Sequence, residues 1–271
     1  MIPGLRISGL QISGLQAVVF DWAGTMIDFG SRAPVVALCN LFAAQGVPLE
    51  EREARGDMGV AKRDHIAAIL RQPRVHAAWT AEHGAAPDDA AVDLLFGAIT
   101  PLMREAANSC AVLIPGAAEV VAQLRAAGVR IGSCTGYTRE MMADILPAAA
   151  AQGYAPDVVV CAGETAAGRP SPLMLWKNLV ELGAWPATAC VKVDDAAVGI
   201  AEGRGAGVWT IGVAASGNSV GLSAEALAGL PEAERTALIA AAHAELSAAG
   251  AHLVIDTVAD LPGALAKLKF G

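Results

Sequence analysis

The chain has 271 residues, 54% of them hydrophobic and 17% charged, with 27 acidic and 19 basic side chains and a net charge of −8. A chain of this length and apolar content can bury a large core in one or two domains, so its composition excludes an intrinsically disordered protein. The acidic balance and the lack of a basic cluster argue against a nucleic-acid partner.

The N-terminal residues 1–16 contain ISGLQ at 7–11 and again at 12–16. They lack a signal-peptide cleavage pattern, and we interpret them as a short extension before the first strand, not as a repeat architecture. No apolar run reaches about 18 residues, so we expect no membrane span. The five cysteines are scattered without a C-x-x-C pair, which argues against a disulfide scaffold or a zinc site. We therefore expect a cytoplasmic protein with reduced thiols.

Short apolar runs rich in β-branched residues recur along the chain, separated by helix-like stretches. Such runs are typical of strands buried on both faces of a parallel sheet. The predicted strands are 17–21, 130–134, 157–161, 190–194, 207–212 and, with a weaker pattern, 252–256. The predicted helices between them lie near 117–127, 138–151, 172–182 and 197–204. This alternation predicts an α/β protein with a doubly wound parallel sheet.

The segment between the first two predicted strands carries helix-spaced apolar positions throughout. An all-helical insert at this point would lie over the carboxyl ends of the strands, where open α/β sheets bind ligands. We therefore predict a core domain formed by 1–29 and 110–271, and a helical cap domain formed by 30–109. The tail at 222–250 is predicted to form one or two amphipathic surface helices, to which we assign no chemistry.

Acidic side chains come directly after two predicted strands. Asp21 follows AVVF, Asp194 and Asp195 follow CVKV, and the hydroxyls of Ser133 and Thr135 lie at the end of a third strand. Carboxylates that converge from two strand ends form an oxygen-rich site suited to Mg²⁺. Any one of these acids could instead only cap the helix that follows it. Three acids at two strand ends favour the metal site.

Two residues could hold the oxygens of an anionic substrate. Thr135 precedes a helix-like stretch, so its hydroxyl and nearby backbone N–H groups could cradle an anion, or it could act only as a helix cap. Arg169 lies in a predicted loop, where its guanidinium could clamp phosphoryl oxygens or could be a plain surface charge.

These motifs together resemble the haloacid-dehalogenase-like superfamily, in which DWAGT at 21–25 corresponds to the nucleophile loop. The motifs CTGYTREMM, GRPSP and KVDD follow in the superfamily's order and spacing. More narrowly, the chain from about residue 16 resembles the phosphonoacetaldehyde hydrolase (phosphonatase) family through DWAGTMIDFGSRAP, MGVAKRDH, TGYTREMM, AGRPSPLMLWKN and EGRGAGVWTIGV. The resemblance implies a small-molecule phosphonate substrate and a homodimer.

The resemblance also implies the roles of individual residues. Asp21 would be the nucleophile, and Lys62 would form a Schiff base with the aldehyde of the substrate. Mg²⁺ would be held by Asp21, the backbone carbonyl of Ala23, and Asp195. The residues implied to surround the substrate are Thr135, Gly136, Arg169, Met58, Gly59 and His65. His65 could relay protons from one turn beyond Lys62, or could simply be a packed helix histidine.

Two positions favour the narrower family on chemical grounds. Superfamily members that hydrolyse phosphate esters usually carry an acid two residues after the nucleophile, and Ala23 at that position cannot protonate a leaving oxygen. Lys62 is the only lysine before residue 177. An amine can form an imine with an aldehyde, whereas a guanidinium cannot. Only about one lysine in 2,500 is neutral at pH 7, so this role predicts a pKa lowered by about 3 units.

One departure concerns the metal site. The superfamily often carries a second acid four residues after its metal-binding Asp195, but this chain has Gly199 there. Asp194 could compensate from the position before Asp195. Two rival functions remain open: another phosphatase, phosphomutase or dehalogenase of the superfamily, and a non-catalytic phosphate-binding module.

Overall fold

The computed structural model describes residues 13–270, without the side chains of 107–109. Its sheet has six parallel strands in the order β3-β2-β1-β4-β5-β6. The strands are β1 (Ala17–Phe20), β2 (Arg130–Thr135), β3 (Val158–Cys161), β4 (Cys190–Asp194), β5 (Trp209–Val213) and β6 (Leu253–Ile255). All six predicted strands and the doubly wound α/β class are confirmed.

The central strand β1 is fully buried and pairs with β2 on one side and β4 on the other. Phe20, its last residue, is level with Ser133 of β2 and Val193 of β4. The Asp21 N–H then donates to the carbonyl of Val193 at 2.9 Å. Because the three parallel strands end within two residues of one level, the side chains at their ends meet at one edge of the sheet.

In the described chain, one helix directly precedes β2 and six α-helices follow it. Most of these seven helices cover the two faces of the sheet. They are α6 (Ala117–Ala126), α7 (Ile145–Ala151), α8 (Leu173–Leu182), α9 (Ala197–Ala206), α10 (Ala224–Gly229), α11 (Glu232–Ala248) and α12 (Leu261–Leu265). The predicted tail segment forms α10 and α11, and α11 packs against β5 and β6.

The predicted helix at 138–151 is wrong in its first half, because regular helix begins only at Ile145. Residues 136–144 form successive bends and turns. The Thr135 hydroxyl accepts the N–H of Tyr137 at 3.1 Å, and the Thr138 hydroxyl accepts that of Met141 at 3.3 Å. Hydroxyls that bond nearby backbone groups compete with helix formation. Thr135 therefore begins a turn and does not cap a helix.

The segment between β1 and β2 is helical, as predicted. Its helices are α1 (Arg32–Ala43), α2 (Glu51–Arg55), α3 (Lys62–Arg71), α4 (Pro73–His83) and α5 (Asp89–Cys110). The long helix α5 packs against both α1 and α3. Their shared apolar layer includes Leu38, Leu41, Ile66, Ile69 and Leu95. The division at 29/30 and 109/110 stays a prediction, and the second boundary falls at the last turn of α5.

The second ISGLQ copy is described from Ser13 onward and leads directly into β1. Leu15 is buried, and the Gln16 side chain accepts a hydrogen bond from Arg130 at 2.7 Å. The first copy lies outside the described residues. Within residues 13–270, no helix is long and apolar enough to cross a membrane. The five cysteines form no disulfide.

Candidate active site

Three carboxylates meet at the carboxyl edge of β1 and β4. Asp21 follows β1, Asp194 ends β4, and Asp195 comes next in the chain. One oxygen from each lies within 4.8 Å of the others, and all three side chains are buried. The parallel sheet brings them together, because strand β4 continues level with β1.

Asp195 is held in place from two sides. Its Oδ1 accepts the Thr25 hydroxyl at 3.4 Å, and its Oδ2 accepts the backbone N–H of Asn218 at 2.8 Å. Gly24 has a positive φ of 80°, and a Cβ there would lie 2.2 Å from the Asp195 Oδ2. Glycine is therefore required at this position by both backbone conformation and space.

Burial and mutual repulsion disfavour the ionised carboxylates. Burial and Asp194 raise the pKa of Asp21 to about 6, against the opposing effect of Arg169. Burial, Asp21 and Asp194 raise the pKa of Asp195 well above its usual value. A bound cation would offset this repulsion and keep the carboxylates charged.

This donor set fits Mg²⁺, which takes oxygen ligands and commonly one or two carboxylates. Asp21 and Asp195 line one cavity with Ala23, whose backbone carbonyl is the third predicted ligand. The buried carboxylates outnumber the buried cations here, and a bound cation would reduce this excess of negative charge. The carboxylates are Asp21, Asp194, Asp195 and Glu202, and the cations are Lys62, Arg169 and Lys192.

Arg169 is buried in the centre of this charge network. It donates to Asp21 Oδ1 at 2.7 Å, to Glu202 Oε2 at 3.0 Å, and to the carbonyl of Cys134 at 2.7 Å. It also lies 3.4 Å from Asp194 Oδ2 and from the carbonyl of Gly59. Arg169 thus orients the Asp21 carboxylate, besides facing the cavity where it was predicted to bind substrate.

The sequence analysis missed two charged residues of this network, Lys192 and Glu202. Lys192 lies within β4, with its Nζ 3.1 Å from Asp194 Oδ2 and 3.3 Å from Glu202 Oε2. Burial and Arg169 act to lower the pKa of Lys192, but Asp194 and Glu202 outweigh them and raise it. A lysine inside the apolar run CVKVD was the available signal, because a buried strand tolerates a cation only beside partners.

The structure explains why residue 199 is a glycine and not the acid found in many superfamily members. A Cβ at this residue would lie 2.0 Å from the carboxyl carbon of Asp194. The Asp194 carboxylate, which also accepts the N–H of Ala196 at 3.0 Å, therefore fills the space that a side chain at 199 would need. That Asp194 also takes over the role of the missing acid stays a prediction.

Lys62 begins α3, and its side chain is 1% exposed within the described structure. Its Nζ lies 5.3 Å from the centre of the Tyr137 ring, a cation–π distance. No ion pair among the described residues includes Lys62. Burial, with a smaller contribution from Arg169, lowers the pKa of Lys62 to about 8, although Asp21 acts to raise it. This direction agrees with the predicted need for a neutral amine.

The loop 56–61 carries Met58 and Gly59 and lies directly against the core. A Cβ on Gly59 would lie 2.8 Å from Val198 Cγ2, and one on Gly136 would lie 2.5 Å from the carbonyl of Val60. The cavity of about 20 Å³ has room for about one water molecule. A larger substrate therefore does not fit while the loop has this position.

The cavity brings together every predicted site residue except His65. It is lined by Asp21, Ala23, Ser31, Pro34, Met58, Gly59, Lys62, Thr135, Gly136, Tyr137, Arg169, Asp195 and Ala196. Tyr137, which the sequence analysis did not assign to the site, is buried there next to the Lys62 amine.

His65 is buried on α3, one turn after Lys62, and does not line the cavity. Burial and the Lys62 charge lower the pKa of His65 to about 3, so its imidazole stays neutral at pH 7. Its role as a proton relay stays a prediction.

Comparison with known proteins places this geometry in a family. A family model of haloacid dehalogenase-like hydrolases matches residues 15–207. The phosphonoacetaldehyde hydrolase of Paraburkholderia xenovorans (strain LB400) is 51% identical over 91% of this chain and 92% of its own length. That of Aeromonas hydrophila is 45% identical over 98% and 96%.

A solved structure leads to the same family. The crystal structure of a phosphonoacetaldehyde hydrolase-like protein from Oleispira antarctica superposes with a TM-score of 0.92 at 40% identity, covering 96% of this chain and 97% of that one. The chain therefore belongs to the phosphonoacetaldehyde hydrolase family of the haloacid dehalogenase-like hydrolases.

Proposed function

We propose that this protein hydrolyses the carbon–phosphorus bond of phosphonoacetaldehyde and releases acetaldehyde and phosphate. One observation carries the proposal: Lys62, a buried lysine with a lowered pKa, lines the same cavity as the Asp21 carboxylate. Ala23 supplies no acid for an oxygen leaving group, which disfavours a phosphate ester as substrate. The relatives named above support the same activity.

Lys62 would act on the carbonyl carbon of the substrate. Its neutral amine attacks the aldehyde, and loss of one water forms an imine. Once protonated, the imine accepts the electron pair of the carbon–phosphorus bond, so the carbon fragment departs as an enamine and not as a free carbanion. Burial of the amine favours the neutral form that this step requires.

Asp21 would act on phosphorus. Its carboxylate attacks in line as the carbon–phosphorus bond breaks, and the product is an aspartyl-phosphate. Arg169 holds the Asp21 carboxylate at 2.7 Å and faces the same cavity. Mg²⁺, held by Asp21, the carbonyl of Ala23, and Asp195, would offset the repulsion between the carboxylate and the phosphonate. Water then cleaves the acyl phosphate, and protonation of the enamine and hydrolysis of the imine release acetaldehyde.

The remaining predictions follow from this scheme. Thr135 and Gly136 would bind phosphoryl oxygens together with Arg169, while Met58 and Gly59 would close over the substrate. The loop and helices of 30–109 would open as a cap, since Lys62 and Asp21 lie on different parts of the chain. Homodimeric assembly and a cytoplasmic location stay predictions from the sequence.

The test is to incubate the protein with phosphonoacetaldehyde and Mg²⁺, and to measure phosphate release and borohydride-trapped adduct. We expect phosphate release and a mass increase on the peptide that contains Lys62. The variant Lys62→Arg keeps the charge but cannot form an imine, and should lose both signals.

Two outcomes would reject the proposal in favour of a rival. Phosphate release from ordinary phosphate esters that survives Lys62→Arg would indicate a phosphatase. Binding of phosphate with no turnover of either class of substrate would indicate a non-catalytic module. A matched control is Lys177→Arg, because Lys177 lies on α8 outside the cavity.

A further inference from the structure

Next to the site, a second cluster of contacts joins helix α2 to the loop that follows β5. Neither the proposed mechanism nor the sequence motifs include this cluster. Arg55, the last residue of α2, points its guanidinium at the loop 214–222, which follows β5. Its Nη1 donates to Asn218 Oδ1 at 3.2 Å and its Nη2 donates to the carbonyl of Gly221 at 2.8 Å. Nη1 also donates to the carbonyl of Gly30 at 3.0 Å.

The contact is reciprocal and closely packed. The Asn218 side-chain amide donates back to the carbonyl of Arg55 at 3.3 Å. A Cβ on Gly221, which has a φ of 70°, would lie 2.6 Å from the guanidinium carbon of Arg55. The Arg55 side chain is only 15% exposed, and Glu51 accepts a hydrogen bond from its Nη2 at 2.6 Å. A guanidinium suits this position because its planar fork can bind several oxygens at once.

Both ends of this contact lead into the site. On the core side, the backbone N–H of Asn218 holds Asp195 Oδ2 at 2.8 Å. A Cβ on Gly217 would lie 2.8 Å from the Cβ of Asp195, so the loop packs directly on that residue. On the other side, the chain runs from Arg55 through the loop 56–61 straight into Lys62.

We propose that Arg55 is a positioning residue: by binding the loop 214–222, it fixes the loop 56–61 over the cavity and places Lys62 opposite Asp21. The inference rests on the proposed function. The same contact couples closure of the loop 56–61 to the orientation of Asp195 through Asn218. Because such coupling is reciprocal, Mg²⁺ at Asp195 favours the closed loop, and the closed loop tightens Mg²⁺ binding.

The principal test is Arg55→Ala, compared with Arg52→Ala as a matched control. Arg52 lies on the same helix, but its side chain is 80% exposed. Among the described residues it forms an ion pair with Glu50 alone. At low substrate concentration, Arg55→Ala should slow borohydride trapping on Lys62 by about 10- to 100-fold, because a displaced reacting group costs rates of that order. Arg52→Ala should trap at the wild-type rate.

The steady-state constants separate positioning from a general loss of structure. If Arg55 acts by favouring the closed state, KM rises in inverse proportion to the closed fraction that remains, while kcat changes less. Arg55→Lys, which keeps the charge but loses the fork, should lie between the wild type and Arg55→Ala. The proposal would be overturned if Arg55→Lys and Arg55→Ala lost the same amount of kcat and left KM unchanged.

A readout independent of turnover is hydrogen exchange in the peptide that covers 56–61. Mg²⁺ alone should slow this exchange in the wild type, and Arg55→Ala should abolish the slowing and weaken Mg²⁺ binding by several-fold. Asn218→Ala removes the partner side chain but keeps the N–H that binds Asp195, so it provides a second variant if Arg55→Ala does not fold. The double variant should be no worse than Arg55→Ala alone.

The outcomes for the two proposals are distinct. A wild-type protein that forms no adduct overturns the proposed function, whereas a wild-type adduct with normal trapping in Arg55→Ala and in Asn218→Ala overturns the positioning role. Exchange at 56–61 that is unaffected by both Mg²⁺ and Arg55→Ala would overturn the coupling.

Discussion

Lys62 and Lys192 are both buried lysines near Asp21, yet their surroundings shift their pKa values in opposite directions. Lys192, on the core sheet, lies 3.1 Å from Asp194 and 3.3 Å from Glu202, and its pKa is raised. Lys62, on α3, faces the ring of Tyr137 instead, and its pKa is lowered to about 8. Burial alone does not decide the charge of a lysine; its partners do.

This difference matches the chemistry proposed for the two sides of the cavity. The core side must keep its charges to hold a metal and a phosphonate, and ion pairs stabilise them there. The side that carries Lys62 needs an uncharged nucleophile, and burial of an amine that has no ion pair among the described residues favours it. The two sides are therefore expected to respond differently to the same kind of substitution.

The largest expected effect comes from removing one of the two proposed reacting groups, Asp21, while keeping the other, Lys62. Asp21→Asn should lower phosphate release by about 10⁴-fold or more, because it removes the nucleophile. It should leave borohydride trapping on Lys62 in place, since imine formation does not use Asp21. Trapping followed by mass spectrometry measures this, and loss of the adduct in Asp21→Asn would show that imine formation on Lys62 depends on Asp21.

The second test replaces each of the two buried lysines in turn and compares the free energies of unfolding. Lys192→Met leaves Arg169 as the one remaining cationic partner of Asp194 and Glu202 among the described residues, and should reduce the free energy of unfolding by about 3–5 kcal/mol. Lys62→Met removes an amine without a carboxylate partner, and should leave the free energy of unfolding unchanged or increase it. Urea denaturation of both variants measures the difference, and equal losses would contradict it.

Mg²⁺ should stabilise the core side. The close carboxylates of Asp21, Asp194 and Asp195 repel one another, so an ion that binds only the folded state should add about 2.7 kcal/mol at a hundredfold excess over its dissociation constant. Thermal denaturation with Mg²⁺ or with EDTA measures this. Asp195→Asn should remove most of the shift, and an equal shift in that variant would place the ion elsewhere.

The smallest expected effect is the pH dependence of Lys62. With a pKa of about 8, its amine is protonated and unreactive below pH 8 and becomes neutral above it. Trapping should therefore rise about tenfold from pH 7 to pH 9 and then level off. A trapping rate that still rises several-fold between pH 9 and pH 10 would mean an ordinary lysine pKa. Lys192 stays charged through this range because its pKa is raised.

The sequence predicted the six strands well because each is a short apolar run, and burial on both faces leaves that pattern in a strand. It was less successful at 138–151, where Thr135 and Thr138 bond the backbone and delay the helix to Ile145. Composition favoured a helix there, but local side-chain bonds decided the conformation.

The sequence also indicated most of the cavity lining, since Asp21, Lys62 and Arg169 lie in recognisable motifs. His65 lies one turn after Lys62 on the same helix but does not line the cavity. Spacing along a helix shows which side chains share a face, but does not show how far the cavity extends across that face.

The sequence by itself determined the strands and the helical insert and indicated the proposed reacting groups, because hydrophobic period and residue chemistry are local properties. Only the tertiary structure decided which charges are paired. Lys192 meets Glu202 across β4 and α9, and Arg55 meets Asn218 across 163 residues of chain. The charge state of a buried group depends on neighbours that only the folded chain brings within a few ångströms, and no local pattern records them.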